Sequence, residues 1–440
     1  MNRKLSRRTV LQGATAGAAA GFFVSGTAPR AADSPNERLR IAGVGATGRA
    51  GADIAGVASQ DIVAIADVDQ QLLEKGAARF PGARKYADFR DMLDREADRI
   101  DAVVVGTPDH THAPASAMAL RLKKHVYCEK PLTHTVYEAR VLADLAAEHK
   151  LVTQMGTQIH AGDNYRRVVE LVQAGAIGKV REAHVWASAV YTDGKFTTNT
   201  QAPAHLDWDL WLGPAVKRPY SEGVHPFNWR RFWDYGTGTL GDFGCHYMDL
   251  AHWALDLMNP VRVSASGPPV DAVTTPRYCL ATYDYPARGG HPPLRLFWYD
   301  SGKKPPQLDA LLKEDPRDQN GKPMGTGGGQ LFVGDDGMIL ANYGQRCLLP
   351  KDRFADYKAP DPSIPKSIGH HNEWVHAIKN GGTTTCNFRY SGALTESVLL
   401  GTVAYRTGQT LEWDAANLKV TNSAAAQSLI HKEYRKGWTL

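Results

Sequence analysis

Leu39-Arg40-Ile41-Ala42-Gly43-Val44-Gly45-Ala46-Thr47-Gly48 decides the fold. An apolar run with strand character meets glycines spaced G-x-G-x-x-G, and the spacing predicts a helix from 48 to about 59. Glycines at Gly43, Gly45 and Gly48 permit a tight turn and a close approach of backbone to a pyrophosphate, which sits on the helix N-terminus. The next strand, Ile62-Val63-Ala64-Ile65-Ala66, ends at Asp67, about twenty residues on. A carboxylate there accepts hydrogen bonds from ribose hydroxyls and repels a 2′-phosphate. Strand, glycines, helix, strand and acid in register point to a dinucleotide site. The expected cofactor is NAD, with NADP as the alternative, and Asp69 is a second candidate for the acid. A bland reading also exists, in which the glycine turn only packs a helix on a sheet.

The alternation continues. Residues 70–80 read as a helix, 86–96 as a short strand-helix unit, and Ala102-Val103-Val104-Val105 as a buried parallel-type strand. Gly106-Thr107-Pro108-Asp109-His110-Thr111-His112 reads as a loop before a helix that ends near 123. His125-Val126-Tyr127-Cys128 then runs into Glu129-Lys130-Pro131, which places a lysine at the C-terminal end of a strand, where open α/β sheets hold their ligands. A lysine partly desolvated there can have its pKa lowered and exchange protons near neutral pH. Thr135-x-x-Glu138 is a capping box for a helix to 149, and residues 151–155 close the unit. Residues 39–155 are thus expected to form an N-terminal Rossmann domain of α/β class, a doubly wound parallel sheet.

From 156 the character changes. Helices are expected at 164–175, 372–379 and 395–407. Strands are expected at 180–190, 261–266, 278–285, 294–299, 330–333 and 338–342. Gly334-Asp335-Asp336-Gly337 is the turn of a hairpin. Residues 301–329, rich in proline, lysine and glycine, read as a long loop. Residues 156–440 are therefore expected to be an α+β domain on a large, mainly antiparallel sheet.

At 440 residues the chain exceeds one typical core. Its 43% hydrophobic and 22% charged composition is that of a globular protein. Formal charge is +5, from 51 basic against 46 acidic residues. Arg3, Lys4, Arg7, Arg8 and Arg30 all precede residue 33 and no acid does, so the remainder balances. The chain offers no basic stripe for nucleic acid. Lys4-Leu5-Ser6-Arg7-Arg8-Thr9-Val10-Leu11 and the apolar run at 11–24 resemble a twin-arginine export signal. That run is too short and too rich in glycine and alanine to span a membrane. Residues 1–32 are read as the signal and 33–38 as a linker. The export machinery is then a partner and the location periplasmic, or membrane-anchored without cleavage. Cys128, Cys245, Cys279, Cys347 and Cys386 include no Cys-x-x-Cys and suggest neither disulfides nor a zinc site.

Gly43-x-Gly45-x-x-Gly48, Thr107-Pro108-x-x-x-His112, Glu129-Lys130-Pro131 and Gly241-Asp242-x-Gly244-x-His246, in this order, resemble the Gfo/Idh/MocA family over residues from about 39 onward. Phrases at 206–214 and 236–242 are similar to an exported bacterial branch. The resemblance implies hydride transfer on a sugar or polyol, with Lys130 as the catalytic lysine beside the nicotinamide. It implies that Thr107, Pro108 and His112 line the cofactor crevice, and that Glu129 approaches the nicotinamide ribose. Thr47 and Gln158 are further cofactor candidates. A homodimer or homotetramer is implied through the second domain.

Asp242 and His246 lie four apart, so a helix projects both from one face. His246 has a suitable intrinsic pKa for a base, and Lys130 can share the proton or polarise the nascent carbonyl. Asp242 can bind a hydroxyl or orient His246. The alternative is a capping acid and a buried histidine; no further ligand is apparent, so no metal is expected. Aromatic rings crowd 208–253, and most of them are expected in the core. In Asn228-Trp229-Arg230-Arg231, Trp229 and Arg230 are the candidate substrate wall. His160, Tyr165 and His225 are further candidates, and His370-His371 reads as a helix cap or surface pair.

The expected function is an NAD(P)-dependent oxidoreductase acting on a sugar, polyol or glycoside. The nucleotide stays bound and turnover is redox-neutral, because the periplasm has no obvious supply of free nicotinamide. A second carbonyl takes the hydride back, or a transient keto-sugar allows a glycosidic bond to be eliminated. The rival from another class is a non-catalytic sugar-binding protein on the same scaffold.

Overall fold

A computed structural model describes residues 37–197 and 200–440. The expected signal at 1–32, and the linker as far as 36, lie outside the described residues. The apolar runs of the first part become β1 (Arg40–Val44), β2 (Asp61–Ala66), β3 (Arg84–Tyr86), β4 (Ala102–Val105), β5 (His125–Cys128) and β6 (Thr153–Met155). Between them lie α1 (Gly48–Gly56), α2 (Gln70–Arg79), α3 (Phe89–Glu96), α4 (Asp109–Arg121) and α5 (Val136–Glu148). The strands pair in parallel in the order β3-β2-β1-β4-β5-β6. The order reverses between β1 and β4, and a crevice opens there at the strands' C-terminal ends. The capping box of α5 is present, with Thr135 and Glu138 bonded reciprocally.

Two boundaries differ from expectation. The first helix stops at Gly56, because the chain turns at once to enter β2, with the Gln60 amide on the Val57 carbonyl at 2.9 Å. The fourth helix begins at Asp109 and not after His112. Pro108 carries a φ of −59°, which suits a helix start. His110 and His112 are therefore helical and buried.

The second sheet has nine strands: β7 (Val180–Ala187), β8 (Arg262–Ser266), β9 (Leu280–Tyr285), β10 (Leu294–Tyr299), β11 (Gly328–Gly334), β12 (Met338–Ala341), β13 (Arg346–Leu349), β14 (Leu411–Asp414) and β15 (Lys419–Val420). Their order is β13-β12-β11-β7-β10-β9-β8-β14-β15, antiparallel except for β7 with β10. The last three strands in the chain have two to four residues each, too few for periodicity to show. The associated helices are α6 (Asp163–Gln173), α7 (Trp208–Leu212), α8 (Gly238–Ala254), α9 (Leu308–Lys313), α10 (His370–Asn380) and α11 (Phe388–Thr407). The stretch expected as a bare loop at 301–329 contains α9. Its Leu308 and Leu311, with Met324, pack on Trp186, Leu331 and Leu340; apolar burial anchors it where composition alone suggested a loop.

The late helices return to the first sheet. Trp374 of α10 is fully buried in one cluster with Ile41, Val104 and Tyr127, and its indole N–H donates to the Val152 carbonyl at 3.3 Å. The eleventh helix packs on α5, α8 and β8. Among the described residues no helix is long and apolar enough to cross a membrane.

Candidate active site

The crevice between β1 and β4 widens into a cavity of about 520 Å³. Every residue singled out above for catalysis, cofactor or substrate lines it, except Gly43. Gly43 sits within β1, where a Cβ would run into Ile54 of α1. Its part is helix-on-strand packing. Gly45 has φ +91°, and a Cβ there would lie 2.8 Å from the Ala50 Cβ and 3.2 Å from the Gly106 carbonyl oxygen. Gly48 has φ +58°. No side chain caps α1 at Thr47, so its first-turn amides keep their hydrogen-bonding capacity at the positive end of the helix dipole. This cradle fits a pyrophosphate.

At the end of β2, Asp67 accepts the amides of Ala46 and Asp69, each at 3.0 Å, and lines the cavity. Burial pushes its carboxyl up to about 6. Asp69, the second candidate for the ribose acid, is spent otherwise. It caps α2 by accepting the Gln71 and Leu72 amides and pairs with His205 at 3.0 Å.

The sequence gave no warning of the network behind the cradle. Arg49 reaches Asp53 at 2.5 Å and Glu129 at 3.3 Å. Gln158 donates to Glu129 at 2.6 Å and to the Tyr127 hydroxyl at 2.9 Å. His371 of α10 meets Asp53 at 2.9 Å and stacks on Tyr127. Burial favours the neutral form of Asp53, yet hydrogen bonds from His371 and Arg49 outweigh it and hold the pKa down. Glu129 is pushed up by burial and by the Asp53 charge. His371 is thus tied into the site. His370 is buried too, between the Met155 carbonyl and Gln154. Neither is the cap or surface residue expected. Only the (i, i+4) spacing of Arg49 and Asp53 hinted at part of this network.

Asp242 and His246 share α8 and one face, as their spacing predicts. Lys130 Nζ donates to Asp242 Oδ1 at 2.8 Å and to its carbonyl at 2.9 Å, and Arg230 Nε reaches the same Oδ1 at 3.2 Å. This overturns the expectation of a lysine with a lowered pKa. Burial would lower it, but the charges of Asp242 and Glu129 win and hold it above its ordinary value. Lys130 is an ammonium at neutral pH. His246 is the reverse case. Burial, then the Lys130 charge, pushes its imidazole down to about 3, so it is neutral. Its Nδ1 has no hydrogen-bond partner among the described residues.

Asp109, read as loop, also lines the cavity. It is fully buried, accepts the Thr237 hydroxyl at 3.0 Å, and is pushed up to about 7 by burial and then by Asp242. His112 lies between the Thr107 carbonyl (2.7 Å from Nε2) and the Pro131 carbonyl (2.8 Å from Nδ1), tying the loops after β4 and β5 together. Trp229 supports the Arg230 guanidinium at 4.1 Å, and Tyr191, Phe227 and Phe243 complete an aromatic rim that the motifs did not reveal. Trp208 and Trp211 stack on each other at 4.6 Å, as core rings. His225 lines the cavity. Tyr165 sits behind it, its hydroxyl on the His246 carbonyl at 3.3 Å. His160 does not join the site: it is buried against Asp249 at 2.9 Å and stacked on Trp253. With Cys386 these two form the one grouping of metal-ligand type among the described residues.

Two family models match in succession: "oxidoreductase family, NAD-binding Rossmann fold" over residues 38–157, and "oxidoreductase family, C-terminal alpha/beta domain" over 166–288. The chain belongs to the Gfo/Idh/MocA oxidoreductase family. Within it, the chain is 34% identical over 149 residues to inositol 2-dehydrogenase of Rubrobacter xylanophilus, covering 32% of this chain and 42% of that one. It is 25% identical over 208 residues to levoglucosan dehydrogenase of Pseudarthrobacter phenanthrenivorans, covering 46% and 44%. The match thus spans less than half the length of these curated relatives. Among solved structures, the WlbA dehydrogenase of Bordetella pertussis, in complex with NADH and UDP-GlcNAcA, superposes with a TM-score of 0.59 at 15% identity over 86% of this chain and 99% of that one. GenD2 from gentamicin A biosynthesis, in complex with NAD, gives 0.57 at 19% identity over 89% and 100%. These likenesses show a shared Gfo/Idh/MocA fold.

Proposed function

We propose that the chain is an NAD-dependent oxidoreductase that oxidises one hydroxyl of a sugar, polyol or glycoside and keeps its nucleotide bound through a redox-neutral cycle. One observation carries this reading. An ammonium pinned by a carboxylate stands beside a neutral histidine at the mouth of a dinucleotide cradle. NAD supplies the hydride acceptor when bound; Gly45, Gly48 and the first turn of α1 would hold its pyrophosphate, and Asp67 its ribose. Asp67 favours NAD over NADP.

The proton chemistry belongs to the chain. His246 Nδ1 takes the hydroxyl proton of the substrate. The Lys130 ammonium holds the oxygen as negative charge builds on it. Asp242 and Arg230 fix the lysine's position. Trp229, Phe227 and Phe243 offer flat apolar faces to the C–H side of a sugar ring. The redox-neutral cycle and the periplasmic location rest on the leader, whose paired arginines are those of an export signal. In one form of the cycle a second carbonyl takes the hydride back. In the other, a keto-sugar intermediate permits loss of a glycosidic substituent before re-reduction. A non-catalytic sugar-binding protein would have no use for a charged lysine beside an open imidazole.

The test is to purify the folded protein made with its leader, denature it, and identify the released nucleotide by mass and absorbance. NAD in stoichiometric amount is expected, and so is conversion of sugars or glycosides without added nucleotide. A protein that is empty and does not take up added NAD overturns the proposal.

The pH dependence follows from the shifts. The base must be deprotonated, and its pKa lies at about 3, so the acid limb moves far below the ordinary histidine range. The lysine must be protonated, and its pKa is raised from 10.5, so no alkaline limb appears below that value. The kcat/KM profile is expected to show no inflection at the usual histidine pKa of 6.5. An inflection near 7 would report the Asp109 carboxyl in place of His246.

A further inference from the structure

A second cavity of about 520 Å³ lies apart from the crevice. The start of α5, the end of α11 and residues 427–433 enclose it with Trp233 and Asp234. Its charges do not balance. Lys432 Nζ lies 2.9 Å from His134 Nδ1 and 3.3 Å from Glu138 Oε1. His134 Nε2 lies 3.2 Å from the Gly236 carbonyl, so Nε2 carries the proton and Nδ1 accepts from the ammonium. Glu138 answers Lys432 but is also occupied by the amides of His134 and Thr135 and by the Tyr434 hydroxyl. Asp234 is taken by Arg218 at 2.5 Å. Arg406 is left over. Its guanidinium sits 5.0 Å from the Trp233 ring centre and has no hydrogen bond or ion pair among the described residues. Burial lowers its pKa, and the Asp234 charge only partly opposes that. A desolvated cation with free N–H groups facing a cavity is costly unless an acceptor comes from outside.

We infer that this cavity is an oxyanion site, taking a small molecule through its phosphate or carboxylate group, which the Arg406 fork grips in bidentate fashion while Lys432 adds charge. The guanidinium plane is the geometry that carboxylate and phosphate match. Stacking on Trp233 leaves its N–H edges turned outward. The volume falls within the range of small-molecule pockets.

The test is thermal unfolding of the full chain saturated with NAD, with inorganic phosphate or citrate titrated at constant ionic strength. NAD fills the phosphate cradle of the crevice. Arg406 gives up no ion pair when replaced, so Arg406→Gln is expected to fold and to lose about tenfold or more in anion affinity. Arg406→Lys keeps the charge and loses the fork, so it is expected to weaken binding as well. If Arg406→Gln fails to fold, Arg406→Lys decides alone, and unchanged affinity refutes the site. A wild type indifferent to both anions, or an Arg406→Gln protein with wild-type affinity, also overturns the inference. The comparison of variant with wild type holds whether or not NAD binds, so it fails independently of the proposed function.

Discussion

Lys130→Met is expected to lower turnover by about 10³-fold while the nucleotide content stays that of the wild type. The side chain is nearly isosteric, so the change isolates the charge. In the wild type the ammonium is fixed by two bonds to Asp242, at 2.8 and 2.9 Å, and lies about 5.6 Å from the Phe243 ring centre. It has little freedom and needs no reorganisation to meet a developing oxyanion. Without it, His246 can still accept a proton, but the oxygen left behind faces an apolar rim and the Asp242 carboxylate. The loss should appear in kcat with little change in KM, since the ammonium acts on charge that exists only in the transition state. The cradle at Gly45 and Gly48 is untouched, so released NAD, quantified after denaturation, should be unchanged. Turnover within about tenfold of wild type would remove Lys130 from the chemistry.

Asp242→Asn should act on both stability and pH profile. The carboxylate is buried and answers two cations, Lys130 at 2.8 Å and Arg230 at 3.2 Å. Removing one partner of a buried ion group leaves uncompensated charge and costs about 3 kcal/mol. Urea unfolding at neutral pH measures it. The sign with pH is fixed. The Asp242 pKa is lowered in the fold, because the charges of Lys130 and Arg230 outweigh its burial. Its contribution is therefore full above the ordinary carboxylate pKa of 3.8 and fades as pH falls through the lower folded value. The gap between wild type and variant should close in acid. The kinetic consequence runs the other way. With Asp242 neutral, burial is left as the largest influence on Lys130, and the lysine pKa drops. Activity that needs the ammonium should then fall as pH rises, with an alkaline limb that the wild type lacks. A flat profile in the variant would show that Asp242 does not set the lysine's charge.

The parts of the site that could be read in the chain are those whose geometry is local. Gly45 and Gly48 have positive φ because a turn before a helix demands it, and the spacing of the glycines records that demand. Asp242 and His246 face one way because four residues make about one helical turn. The protonation state of Lys130 was not legible, since it depends on Asp242, which is 112 residues away. The same holds for Asp53, whose charge is set by Arg49 next to it and by His371, 318 residues on. Burial of His110 and His112 was missed because one proline moved a helix start by a few residues. Short strands such as β13 and β15 were missed because their pairing, and not their composition, makes them strands.

The return of α10 to the first sheet has a consequence for biosynthesis. Ribosomes deliver the six parallel strands early, but the wall of Ile41, Val104 and Tyr127 stays unsealed until Trp374 emerges. The backing of the nucleotide cradle waits as well, because His371 arrives with Trp374 on the same helix. A nascent chain cut short before this helix has the glycine turn but not the partners that hold Asp53 in place. Capture of the dinucleotide is therefore a late, post-synthetic event, and a loaded molecule certifies that nearly the whole polypeptide has been made and closed.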